Sequence, residues 1–134
     1  GEEDMIIRPV LSEHEYGYMC VHLIEAAAAG RVAAVEALAD AGAHVNYRDE
    51  EHFGARTALH AAALMAQLKT INWLLDHGAN PHALTDTLMT PLHLAASNGH
   101  VPTLRRLVMY ERDPANNRKK TKKSRYGRGA ADRG

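Results

Sequence analysis

The chain has 134 residues, 46% hydrophobic but only 5% aromatic, with 16 basic and 16 acidic side chains. That length suits one domain with a real core, and a core of Ala, Leu, Val and Met predicts an all-α fold. Cys20 is the one cysteine, which excludes an intrachain disulfide and points to a reducing compartment. No apolar run approaches the ~18 residues of a membrane span. The expectation is an intracellular protein, cytoplasmic and/or nuclear. The first residue is Gly1 rather than Met, without a signal peptide, which is compatible with an excised fragment.

In chain order, residues 1–17 read as an N-terminal extension. Residues 18–47 contain "LIEAAAAGRVAAVEALADAGAHVN", an alanine-rich helix, Gly30, a second apolar helix and Gly42. The same grammar returns twice. "TALHAAALMA" begins at Thr57 and "TPLHLAASNG" at Thr90, 33 residues later, and each precedes a second apolar-periodic segment. Three units follow, at 18–47, 48–83 and 84–113. Thr57 and Thr90 sit where a hydroxyl accepts from an orphan helix N–H. Pro91 and Pro102 fall in first turns, where a missing N–H is tolerated. The Ala61/Ala62 pair and Leu94 through Ala96 keep the first helices thin, while Leu74, Leu75, Leu107 and Val108 stripe the second. Gly42 and Gly78 end those second helices in a left-handed conformation. Trp73 reads as packing and Cys20 as a buried thiol. One helix pair cannot bury its apolar face alone, but three stacked pairs can.

These residues resemble the ankyrin-repeat family. Thr-Pro-Leu-His-x-Ala-Ala at Thr90–Ala96, its variant at Thr57–Ala63 and "DHGANP" at Asp76–Pro81 carry the likeness, which covers about Tyr18 to Tyr110. It implies a solenoid of three helix-turn-helix repeats with β-hairpin fingers between them. It also implies that His60 and His93 tie back to their threonines as structural groups, and that His100 opens a second helix. His77, at a helix close, suits the dipole.

The cluster "DEEHFGARTALHAA" from Asp49 invites a metal or acid–base reading. Neither His-x-x-x-His nor Cys-x-x-Cys spacing occurs, and no phosphate loop or nucleophile elbow is present. No enzyme activity, metal or cofactor is expected. What is unusual is length: Gly42 to Thr57 spans 15 residues, against 12 from Gly78 to Thr90. The resemblance makes this a three-residue insertion in a finger carrying Glu50, Glu51, His52 and Phe53.

The resemblance further implies a partner protein held by fingertips and by exposed inner-helix positions. Those positions are Ala28 and Ala29, Leu64 and Met65, and Ser97 and Asn98. The second finger reads Thr87-Leu88-Met89, with Leu88 replacing the usual Gly. An apolar patch of Phe53, Leu64, Met65, Leu88 and Met89, rimmed by Glu50 and Glu51, would suit a protein or peptide with an apolar anchor and basic residues. The opposing expectation is that the longer finger folds back over Leu64 and Met65. A monomer is expected.

Residues 114–134 carry eight basic side chains against Asp132, a net of +7, which leaves −7 on the first 113. Without apolar periodicity this tail is expected to be disordered. Its run of Arg118, Lys119, Lys120, Lys122, Lys123 and Arg125 reads first as an import signal, then as a nucleic-acid or polyanion contact, a solubilising end, or a partner of the acidic body. The expected function is a scaffold or adaptor module; the alternatives are a polyanion binder acting through the tail and a regulatory domain of a larger protein.

Overall fold

A computed structural model describes residues 11–51 and 54–112. Six helices occur there: α1 (Glu13–Ala29), α2 (Val32–Asp40), α3 (Ala58–Leu64), α4 (Leu68–Asp76), α5 (Pro91–Asn98) and α6 (Val101–Arg112). They form three antiparallel pairs. The first helices stack in one row, α1 on α3 on α5, and the second in another, α2 on α4 on α6. This is a three-repeat solenoid, all-α as composition and period require.

Local chemistry sets the helix boundaries. At α1 the Glu15 N–H donates to Ser12 Oγ at 3.1 Å while the Ser12 N–H donates to Glu15 Oε1 at 2.9 Å. This reciprocal cap starts the helix at Glu13, so residues 13–17, read from sequence as extension, are helical. Thr57 and Thr90 cap α3 and α5 as expected, each paired with the histidine three residues on. Gly30 and Gly99 close α1 and α5 at φ 76, and Ala66 takes the matching place after α3 at φ 57. Gly42 and Gly78 follow α2 and α4 at φ 116 and φ 95.

The core lies between the two rows. Leu23, Ile24, Val35, Leu59, Ile71, Leu74 and Leu107 are buried, and Ala27, Ala58, Ala62, Ala63 and Ala95 let the first helices approach closely. Each large apolar side chain so buried contributes about 1.5–3 kcal/mol. Cys20 is buried in α1, and burial is the main cause pushing its thiol pKa upward, which marks it as inert. Trp73 is half-buried and stacks on His77 at 3.8 Å.

Among the described residues the fingers hold no named strand. The expected hairpins reduce to an isolated bridge between Asp49 and Arg56 in the first finger and to turn hydrogen bonds in the second. No helix of the described residues is long and apolar enough to cross a membrane. His52, Phe53 and the basic run Arg118, Lys119, Lys120, Lys122, Lys123 and Arg125 lie outside the described residues.

Candidate interaction surface

The two fingers are built on one plan. In the second, the Thr85 N–H donates to the Met89 carbonyl at 3.0 Å and the Leu88 N–H to the Thr85 carbonyl at 2.9 Å. In the first, the Asp49 N–H donates to the Arg56 carbonyl at 3.1 Å and the Ala55 N–H to the Asp49 carbonyl at 2.8 Å. Asp49 therefore corresponds to Thr85, Ala55 to Leu88 and Arg56 to Met89. The extra residues fall inside the loop that these bonds close, where the spacing placed them.

Adjacent repeats are tied finger to finger. The Asp86 N–H donates to the Gly54 carbonyl at 3.1 Å, Arg48 Nε to the Leu84 carbonyl at 3.2 Å, and the Asn80 N–H to Asn46 Oδ1 at 2.7 Å. His60 completes the set. Its Nδ1 accepts from the Thr57 N–H at 3.1 Å, and its Nε2 donates to the Met89 carbonyl at 2.8 Å. Two fixed partners demand the neutral Nε2–H tautomer, and burial, the first cause, lowers the imidazole pKa. The histidine is structural, as the resemblance implied. His93 makes the same local bonds with Thr90 but is exposed.

The candidate contact residues fall into separate groups. Leu88 stands 71% exposed on the second fingertip at φ 64. Thr87 beside it is exposed, and Met89 is half-buried with its carbonyl given to His60. Leu64 and Met65 end α3, about 10 Å along the helix from its cap. Leu64 is half-buried and its carbonyl accepts from Asn98 Nδ2 at 2.6 Å, while Met65 is 53% exposed. Asn98 and Ser97 are exposed at the matching end of α5, with Ser97 Oγ on the Leu94 carbonyl. Glu50 pairs with Arg48 at 3.2 Å and Glu51 is exposed.

Two features escaped sequence reasoning. Leu84 is an exposed apolar side chain at the finger base. A cleft of about 620 Å³ joins the start of α1 to the first finger, with Glu13, Tyr18, Tyr47, Glu50 and Glu51 on its walls. Tyr47 in it has a raised pKa, from burial first and then from Asp49, Glu51 and Glu50. The signal for it was the Ser12-x-x-Glu15 capping pattern, which extends α1 toward the finger. Among the described residues no three His, Cys, Asp or Glu side chains are grouped to hold a metal ion.

Comparisons with known proteins agree with this geometry. The family model for ankyrin repeats, in three copies, matches residues 23–120. A rice (Oryza sativa subsp. japonica) protein named "Probable E3 ubiquitin-protein ligase XBOS34" is 44% identical over 72 residues, covering 53% of this chain and 14% of that protein. The ankyrin repeat, SAM and basic leucine zipper domain-containing protein 1 of Loxodonta africana is 31% identical over 99 residues, covering 73% of this chain and 21% of that one. Protein phosphatase 1 regulatory subunit 27 of Mus musculus is 37% identical over 70 residues, 51% of this chain and 46% of its own. The chain thus spans less than half the length of each of these relatives.

Proposed function

Because the chain belongs to the ankyrin-repeat family, we propose that it is a scaffold or adaptor module that holds a partner protein on its fingers and inner-helix face. Ankyrin repeats are protein-interaction modules and the fold itself is non-catalytic. The observation that carries the choice of face is Leu88. A non-glycine residue in the left-handed region costs about 1 kcal/mol or more. An exposed leucine regains none of that through burial. Strain retained with no packing return is characteristic of a contact residue.

The partner that fits has an apolar anchor for Leu88 and Met89, with Leu64 and Met65 as a second apolar contact. Basic residues would meet Glu50 and Glu51, and Thr87, Ser97 and Asn98 form a polar rim. Relatives carry such repeats within longer chains, which favours the recognition part of a larger regulatory protein as the setting.

Leu88→Gly tests this directly, because stability and binding should move in opposite directions. Relief of the positive φ raises the melting temperature by a few degrees (about 1 kcal/mol). Affinity capture by the same variant falls about tenfold or more relative to the parent chain. Unchanged capture sinks the reading.

A further inference from the structure

Both interfaces between repeats carry the same kind of tie. Near the end of a first helix, carbonyls run out of donors from their own helix. The Ala28 carbonyl, two residues before Gly30, accepts from Gln67 Nε2 at 2.9 Å. The Leu64 carbonyl, two residues before Ala66, accepts from Asn98 Nδ2 at 2.6 Å. Repeat two is thus held to repeat one, and repeat three to repeat two, by a side-chain carboxamide.

The two carboxamides differ in chemical durability. Gln67 is followed by Leu68, whereas Asn98 is followed by Gly99, the single Asn-Gly pair of the sequence. An asparagine side chain closes a five-membered ring with the next backbone nitrogen; glutamine needs a six-membered ring, which forms more slowly. Glycine sets no Cβ in the way, and a methyl built on Gly99 meets nothing within 4 Å, so the approach is open. Asn80 precedes Pro81, which has no N–H, and Asn46 and Asn72 precede the bulky Tyr47 and Trp73. Asn98 is also exposed. Two restraints hold it: the Leu64 bond, and the Gly99 N–H donating to the Ala95 and Ala96 carbonyls at 3.1 and 3.2 Å. Both must open before the ring closes. Repeat three packs on repeat two alone among the described residues, and an end of a stack opens more readily than its middle.

We propose that Asn98 is a modification site, where spontaneous deamidation turns the tie between repeats two and three into a repulsion. The Gly99 nitrogen gives its proton to solvent base and attacks Asn98 Cγ. The N–Cγ bond forms, the Cγ–Nδ2 bond breaks, and ammonia leaves. Water then opens the succinimide, at Cγ to give aspartate or at the main-chain carbonyl to give isoaspartate. Either product carries one new carboxylate, nothing is oxidised or reduced, and water is the co-reactant. A carboxylate has no proton to give the Leu64 carbonyl, and isoaspartate also lengthens the backbone under the Gly99 cap. Repeat three therefore loosens, while the Gln67 tie keeps repeats one and two together. Asn98 lies in the proposed polar rim as well, but deamidation does not rest on that reading and its test uses no partner.

Incubating the full chain in water enriched in heavy oxygen, at mildly alkaline pH, reads the reaction by peptide mass spectrometry. Label should accumulate at residue 98 and not at Asn46, Asn72 or Gln67. In guanidinium chloride the same label should appear about threefold faster or more, because the two restraints are gone. Gly99→Ala should cut labelling about tenfold or more although it weakens the turn, since a Cβ now obstructs the ring. Asn98→Asp, which carries the product, should speed amide exchange in α5 and α6 about threefold or more and leave α1 and α2 unchanged. A folded chain still unlabelled at residue 98 when the denatured chain is fully labelled would overturn the proposal. So would labelling indifferent to Gly99→Ala, or exchange in α5 and α6 unmoved by Asn98→Asp.

Discussion

His60 and His93 have the same residues around them in sequence and the same local bonds to Thr57 and Thr90, yet one is buried and the other exposed. The difference lies in what stacks next. Repeat three closes over His60 and supplies the Met89 carbonyl; among the described residues nothing does so for His93. Local sequence sets the cap, and the neighbouring repeat sets its worth.

The widest gap should come from removing each histidine. His60→Ala deletes the acceptor of the Thr57 N–H, removes one of the two donors to the Met89 carbonyl and opens a cavity, a loss of about 3 kcal/mol. His93→Ala removes an exposed cap partner and should cost about 0.5–1 kcal/mol. Urea midpoints measure both, and equal losses would break the comparison.

Acid should act on repeat two through the same group. The folded pKa of His60 is lowered from 6.5, so below that value the unfolded chain binds more protons than the folded one. Its stability contribution is complete above pH 6.5 and is lost as pH falls through the lowered folded value. Protonation also removes Nδ1 as acceptor for Thr57. A His60→Gln variant should show a flatter stability profile across this interval than the parent, in thermal melts taken from pH 7 to pH 5.

How far the sequence speaks follows the same division. The period of 33, the threonine caps, the helix pairs and the extra finger residues are local patterns, and they read correctly from residues alone. Burial of His60 against exposure of His93 depends on a repeat one step away, which no local pattern encodes. The start of α1 was written in Ser12 and Glu15, but the weak apolar signal of residues 13–17 hid it. For the proposed contact surface, the sequence singled out Leu64, Met65 and Leu88 as apolar and out of place. The positive φ of Leu88 and the exposure of Leu84 required coordinates. Among Glu50, Glu51, Leu64, Thr87, Met89, Ser97 and Asn98, several also hold structural bonds, which composition cannot distinguish from partner contacts.

The smallest effects come from one turn seen in three copies, and they sharpen the comparison where no histidine is involved. Gly30, Ala66 and Gly99 follow the first helices at φ 76, 57 and 76. Ala66→Gly should stabilise by about 0.5–1 kcal/mol, because the left-handed strain of alanine disappears while the unfolded chain gains freedom that offsets part of it. Gly99→Ala should cost about 1 kcal/mol from φ alone, since an added methyl there meets nothing within 4 Å. Gly30→Ala should cost more, because its methyl would come within 2.5 Å of Gln67 Oε1. That carboxamide is anchored through Nε2 on the Ala28 carbonyl at 2.9 Å and cannot move without breaking a tie between repeats. The order Gly30→Ala, then Gly99→Ala, with Ala66→Gly of opposite sign, separates backbone strain from contact with the next repeat. Equal costs at Gly30 and Gly99 in chemical denaturation would show that the Gln67 tie contributes nothing.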